Sequence, residues 1–238
     1  MNTHTSVEQP NGKSDLTSRV RKRMLQVVVQ FLSLAAILFI SSGRLDWMWA
    51  WVYLGVGVGI LAINVLVMSP ELIAERGEIK ENTKAWDRLL GILIGVLTLG
   101  GLVVIGLDAR FGWSPRLGWA IQLSGLVFLA LGQGLFSWAM ASNKFFSGAV
   151  RIQMDRDHTV ATGGPYRYVR HPGYVGYITS WLATSPALGS LWALIPAGLV
   201  GCLMVIRTAL EDKTLQDELD GYKEYAQQVR YRLLPGVW

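Results

Sequence analysis

The sequence predicts an all-α fold: a polytopic membrane helical bundle of about six membrane helices, one pair of them a short helical hairpin, plus a cytoplasmic amphipathic carboxyl-terminal helix. Three observations carry this. First, the 238 residues are 51% hydrophobic and only 16% charged, with ten tryptophans, whereas soluble domains carry about 25% charged residues. Second, apolar runs at 24–40, 47–68, 89–107 and 117–140 each approach the ~20 residues that cross a ~30 Å hydrocarbon layer. Third, lysine and arginine fall in blocks between the runs, as they do where short loops face the cytoplasm.

Taken in order, residues 1–18 are polar and aperiodic, with Pro10, Asn11 and Gly12, and read as a disordered tail. Arg19, Arg21, Lys22 and Arg23 then precede the run 24–40. A basic flank before an apolar stretch is also the signal-peptide pattern. Here no small-residue cleavage site follows and more spans come after, so an uncleaved first helix is expected. Within the second run, Gly55, Gly57 and Gly59 suggest close helix packing through small residues, since a nucleotide loop has no place inside an apolar span. Ser69, Pro70 and Glu71 read as an N-cap, a proline at the first helical position and an acidic first turn, with Gly77 closing the short helix after Arg76. Trp86 and Trp113 flank the third run as interfacial anchors.

A fifth apolar region, 174–206, is broken by Ser185, Pro186 and Gly189 and reads as one tilted span or as a hairpin. Charge decides between them. A hairpin places nineteen of the twenty-two basic residues on one side, leaving only Arg44, Arg110 and Arg116 opposite. A single span moves five basic residues to the wrong side. The hairpin's first arm, 172–185, reaches only about 21 Å at 1.5 Å per residue, so its loop must sit deep.

That loop is 163–176, Gly-Gly-Pro-Tyr-Arg-Tyr-Val-Arg-His-Pro-Gly-Tyr-Val-Gly, a stiff and shaped segment. Pro172 suits the first turn of the following helix, whose free amides and positive dipole end would welcome an anion. Beyond it, Leu215, Leu219, Tyr222, Ala226 and Val229 recur at helical spacing and describe an amphipathic tail from Arg207 that can lie over the loop.

Several residues could do chemistry, and each has a plain reading beside it. Arg207 and Glu211, four apart, share a helix face, either as an interfacial arginine with a solvated acid or as a substrate site. Tyr174, Tyr177 and Trp181 form a stripe that serves packing or a ligand wall. His171 could bond a backbone carbonyl, and His158 could be a solvated loop residue. One cysteine, Cys202, leaves no internal disulfide, and without a His-Glu-x-x-His or Cys/His cluster no metal is expected. No nucleic-acid partner is expected either.

The runs Gly164-Pro165-Tyr166 and Arg170-His171-Pro172-Gly173-Tyr174-Val175-Gly176 are followed by the acidic pair Glu211-Asp212. A terminal pattern of Tyr222, Tyr225, Val229, Leu233 and Pro235 completes the order. In combination these resemble the isoprenylcysteine carboxyl methyltransferase family, a wider group that also holds phospholipid and thiol methyltransferases of membranes. The likeness covers roughly 143–238, and the segment Pro70-Glu71-Leu72-Ile73-Ala74-Glu75-Arg76 looks like one common in bacterial members.

The resemblance implies S-adenosyl-L-methionine as cofactor, held without a Rossmann domain in a cytoplasm-facing pocket. It divides the chain into the tail 1–18, a four-helix region 19–140 and a cofactor-binding catalytic region 141–238. Cofactor contacts would fall on His158, Thr159, Val160, Ala161, Tyr166, His171, Pro172, Gly173 and Tyr174. Where eukaryotic members have a glutamine this chain has Arg151, with Gln153 two residues on as the substitute contact; the second acid is Asp212 where the pattern has glutamate. Arg207 and Glu211 match the family's substrate-end pair, with Arg207 orienting an anionic acceptor and Glu211 fixing the arginine. The methyl acceptor would be lipophilic, a prenylcysteine-like carboxylate, or a phospholipid amine or small thiol, reaching the site laterally among membrane lipids. Two other classes stand against this: a transporter, which would show inverted repeats and mid-span polar residues, and a non-catalytic membrane module.

Overall fold

A computed structural model describes residues 12–76 and 83–238. Among them the chain forms eight α-helices and two short 3-10 turns. Five helices are long and apolar enough to cross a membrane: α1 (Gly12–Ser42), α2 (Met48–Val67), α4 (Ala85–Phe111), α5 (Trp119–Ala141) and α7 (Leu194–Glu218). The short α3 (Pro70–Glu75), α6 (Pro172–Ala187) and α8 (Tyr222–Gln228) complete the set. This is a multi-pass membrane bundle. Its outer surface agrees, since large apolar side chains such as Leu32 and Ile40 on α1, Ile63 and Leu66 on α2, and Ile92 and Val96 on α4 are exposed.

Most elements begin where local chemistry dictates. Ser69 Oγ accepts from the Leu72 amide at 3.3 Å and Pro70 opens α3. Gly112, at φ +67°, ends α4 in the left-handed region that favours glycine. Trp86 lies in the first turn of α4 and Trp113 just beyond its end, stacked on Phe111 at 5.9 Å. The fifth apolar region is a hairpin: α6 starts at Pro172, the turn contains Gly189 at φ +81°, and α7 returns. With sixteen residues, α6 spans about 24 Å and is shorter than the hydrocarbon layer. The turn is pinned by Asp108 near the end of α4, which accepts from Ser190 Oγ and Ser114 Oγ, both at 2.6 Å.

Three expectations change. Residues 12–18, read as part of an irregular tail, belong to α1, where Asp15 complements the helix dipole and the basic residues that follow are good helix formers. The rest of that tail, 1–11, lies outside the described residues, as does Gly77. Gly55 and Gly59 do not mediate close packing: a Cβ on either would meet nothing within 4 Å, and only Gly57 touches a neighbour, the Phe31 ring. Intimate contact falls instead on α5 against α6, where a Cβ on Gly132 would lie 2.8 Å from the Gly176 carbonyl oxygen and one on Gly125 2.5 Å from the Ala187 amide. Finally, the tail from Arg207 is no separate helix. The span α7 runs unbroken to Glu218, then the chain turns at Gly221, φ +79°, into α8.

The tail's apolar face is nonetheless as the spacing required. Leu219, Tyr222 and Tyr225 are buried against Tyr166, with Leu215, Ala226 and Val229 packed beside them. This cluster closes one end of the bundle over the loop between α5 and α6.

Candidate active site

The loop 142–171 is held at three edges. On the first edge, the Val150 amide donates to Asp87 of α4 at 2.8 Å, and Arg151 pairs with Glu75 of α3 at 2.6 Å and with Asp155 at 2.8 Å. A second edge is the 3-10 turn Gly164–Arg167, where Gly164 takes φ +56° and a Cβ would strike Ser142. On the third, the amides of Arg170 and His171 donate to the carbonyls of Tyr231 and Arg232, each at 2.9 Å.

Those edges enclose a cavity with an open mouth, a concave site of the kind that binds small molecules. Phe145, Phe146, Tyr166, Tyr222 and Tyr225 supply aromatic walls. The segment 158–161 supplies a rim whose amides donate to no other backbone carbonyl among the described residues. At the inner end stand His171, Gly173, Tyr174 and Glu211.

Electrostatics are organised by Asp212, which is fully buried. Its carboxylate accepts from Arg170 Nε at 2.7 Å and Nη2 at 3.0 Å, a two-point grip that arginine's planar fork makes possible. Tyr222 Oη donates to it at 3.0 Å, Gln216 at 2.8 Å and Arg232 at 2.8 Å, and His171 Nε2 lies 3.2 Å away. Arg170 Nη1 also donates to the carbonyls of Val229 and Arg230, both at 2.8 Å. One acid therefore ties the Arg-His-Pro loop, α7 and the terminal segment together.

Next to it, Tyr174 donates to Glu211, and its ring stacks parallel to His171 at 5.7 Å. Burial first, then the negative charges of Asp212 and Glu211, raise the Tyr222 phenol well above its ordinary value. Burial likewise raises Tyr166, so both remain neutral phenols at physiological pH. His158 moves the other way: burial, followed by the cations of Arg151 and Arg156, lowers it to about 4. Its Nδ1 accepts from the Gln153 amide at 3.3 Å, which suits a neutral ring.

Of the residues singled out in the sequence, Gln153, His158, Thr159, Val160, Ala161, Tyr166, His171, Gly173, Tyr174 and Glu211 line this one cavity. Pro172 and Arg207 are not on its wall. Both candidates for the departed glutamine line it, yet their side chains have other partners: Gln153 donates to the Phe145 carbonyl at 2.6 Å and accepts from Arg156 at 2.8 Å, while Arg151 is taken by Glu75 and Asp155. The expected Arg207–Glu211 pairing is replaced. Arg207 Nε donates to Asp87 at 2.7 Å and Nη2 to the Gly148 carbonyl at 2.8 Å, with the guanidinium carbon 5.4 Å from the Tyr174 ring centre. Asp87 lies too far away in sequence for spacing to suggest the pair. The Asp212 hub was missed too, since Arg170 and Arg232 look like ordinary loop cations; the signal was the acidic pair at a span end.

Residues 125–217 match the family model for isoprenylcysteine carboxyl methyltransferase. The chain is 42% identical over 80 residues to the protein-S-isoprenylcysteine O-methyltransferase of Schizosaccharomyces pombe, an alignment covering 33% of this chain and 34% of that protein. It is 27% identical over 114 residues to a probable protein-S-isoprenylcysteine O-methyltransferase of Oryza sativa subsp. indica, covering 47% and 60%. To the protein-S-isoprenylcysteine O-methyltransferase B of Arabidopsis thaliana it is 29% identical over 114 residues, covering 47% and 58%. The chain thus spans between about a third and three fifths of the length of these curated relatives.

Proposed function

We propose that this chain, whose residues 125–217 are those of the isoprenylcysteine carboxyl methyltransferase family, is an integral membrane methyltransferase that uses S-adenosyl-L-methionine to methylate the carboxylate of a lipophilic, prenylcysteine-like acceptor. The observation that carries this reading is the single cavity where the segment 158–161, the Arg-His-Pro loop and Glu211 converge.

The lining suits an adenosyl amino acid. Aromatic walls offer stacking for a purine, and the uncommitted amides of Thr159, Val160 and Ala161 offer donors. A Cβ on Gly173 would strike Phe146, so the backbone of the first turn of α6 is as close to that wall as a residue can bring it. When bound, the cofactor supplies a methyl group on a sulfonium sulfur. Its transfer to a carboxylate would form an O–CH3 bond as the S–CH3 bond breaks, leaving a neutral ester and a neutral thioether, so a dry site favours it by removing water from the nucleophile. No general base is needed, because the acceptor acid is already ionised near neutrality.

The protein's work is then alignment. Tyr174 and Glu211 form the inner wall. Arg207, braced by Asp87 and Gly148, keeps Nη1 without a partner among the described residues and directs it to an anionic acceptor behind Tyr174. Tyr177 and Trp181 continue from Tyr174 along α6, half-buried against the core residues Ile94 and Met204 of α4 and α7, and a prenyl chain would run over their open edges. The basic blocks support a cytoplasmic setting for this end of the bundle and for both termini.

The test is transfer of labelled methyl from S-adenosyl-L-methionine by the chain in nanodiscs, offered a prenylated cysteine with a free carboxylate or the same molecule amide-capped. Base-labile label in the free acid alone is the expected result. Label on neither, or equally on the capped molecule, contradicts the assignment.

A further inference from the structure

Behind Phe146 of the first cavity's wall, whose ring meets that of Phe136 edge to face at 5.4 Å, lies a second cavity between α1, α2 and α5, lined by Phe136, and the methyl-transfer reading makes no use of it. Most of its wall is apolar, with Phe31 and Leu34 from α1, Ile60 and Leu61 from α2, and Leu129 and Phe136 from α5. At one end it holds two arginines, Arg23 and Arg76.

Neither arginine has a carboxylate partner among the described residues. Arg23 donates to Gln26 at a long 3.4 Å. Arg76 lies against the rings of Phe136 and Phe146, each centre 5.5 Å away, and against the Met140 sulfur. The adjacent acid Glu75 faces Arg151 at 2.6 Å and Arg19 at 3.9 Å. Arg76 Nε and Asn64 Oδ1 are buried with no hydrogen-bond partner, one a donor and the other an acceptor, and both residues line this cavity. Burial, then the neighbouring Arg23, lowers the Arg76 guanidinium to about 10, as fits two cations with no anion between them.

Two like charges at the mouth of an apolar cleft are costly unless a counter-charge arrives. The counter-charge must be carried on an apolar body, because the wall runs from Arg23 to Leu34 on α1, about 16 Å along the helix. The cations stand where anionic head groups gather, at the end of the bundle rich in lysine and arginine. We propose that this cavity binds a glycerophospholipid: its phosphate pairs with Arg23 and Arg76, a head-group hydroxyl or ammonium donates to Asn64, and an acyl chain lies between α1 and α2. The segment 70–76 thereby has a task, since α3 delivers Arg76 to the head group. The bound lipid buttresses Phe136 and Phe146 from behind. This site stands independently of the methyl-transfer reading.

The experiment is native mass spectrometry of the full chain after reconstitution with phosphatidylglycerol in a phosphatidylcholine background and stepwise detergent washing. One phosphatidylglycerol should survive on the wild type. Loss of both cations in R23Q/R76Q should cut its retention at least about tenfold, with circular dichroism showing the helices intact; N64L, which keeps both charges, should cut it less. Equal retention by the double variant, or no retained lipid on the wild type, means that the arginines merely reach to the interface and overturns the proposal. Stoichiometric displacement of the lipid by a prenylated cysteine acid also overturns it, by making the cavity the acceptor's own.

Discussion

Replacing Asp212 tests whether the terminal segment is held down by one carboxylate. In the variant D212A, Arg170 loses both arms of its grip, at 2.7 and 3.0 Å, Tyr222 loses an acceptor at 3.0 Å and Gln216 one at 2.8 Å. Arg170 is 6% exposed at its side chain, so its charge would be left buried with only carbonyl partners. Breaking a buried pair in this way costs about 3–5 kcal/mol. Arg232, 31% exposed, adds little because solvent screens it. The loss should be regional. Hydrogen exchange should rise across 222–232 and 165–171, which Asp212 joins, and remain unchanged in α2. The companion D212N/R170M, which removes both charges of the buried pair, should recover most of the loss. If D212A melts with the wild type and exchange in 222–232 is unaltered, the carboxylate is not the clasp and the reasoning fails.

Other outcomes follow from the same geometry. E211A should lose turnover by two orders of magnitude or more while keeping its fold, since Glu211 holds Tyr174 at the inner end of the cavity; steady-state rates beside a circular dichroism melt check it. G132A should destabilise by about 1–3 kcal/mol because the new methyl meets backbone of α6 that cannot yield, whereas G55A, with open space around it, should be neutral or slightly stabilising; denaturation in mixed micelles separates the two. His158 should titrate near 4 by NMR. Because its folded value lies below its ordinary one, it contributes stability that is present above about 6.5 and lost as pH falls towards 4. An H158F variant should therefore flatten the melting temperature between those limits.

What could be read in advance followed from short-range rules. Proline at the first helical turn located α6, and the placement of basic residues distinguished a hairpin from a single span before any contact was known. The rim 158–161 has no local pattern and came only through family likeness. The partners of the charged residues were not legible. Arg207 finds Asp87 on α4, and Arg170 finds Asp212 across the hairpin, because helix packing joins positions whose sequence separation says nothing about distance. Gly132 and Gly176 were overlooked in favour of Gly55 and Gly59 for the same reason. A glycine's role depends on which helix faces it, and periodicity does not supply the partner.

The central claim is that the cavity over the Arg-His-Pro loop holds the methyl donor. Titration calorimetry of S-adenosyl-L-methionine into the chain in nanodiscs measures this directly. The account predicts saturable binding of one molecule per chain, abolished when Gly173 is replaced by valine, whose side chain would meet Phe146. A folded wild-type chain that takes up no cofactor, or binds it equally well with that substitution, contradicts it.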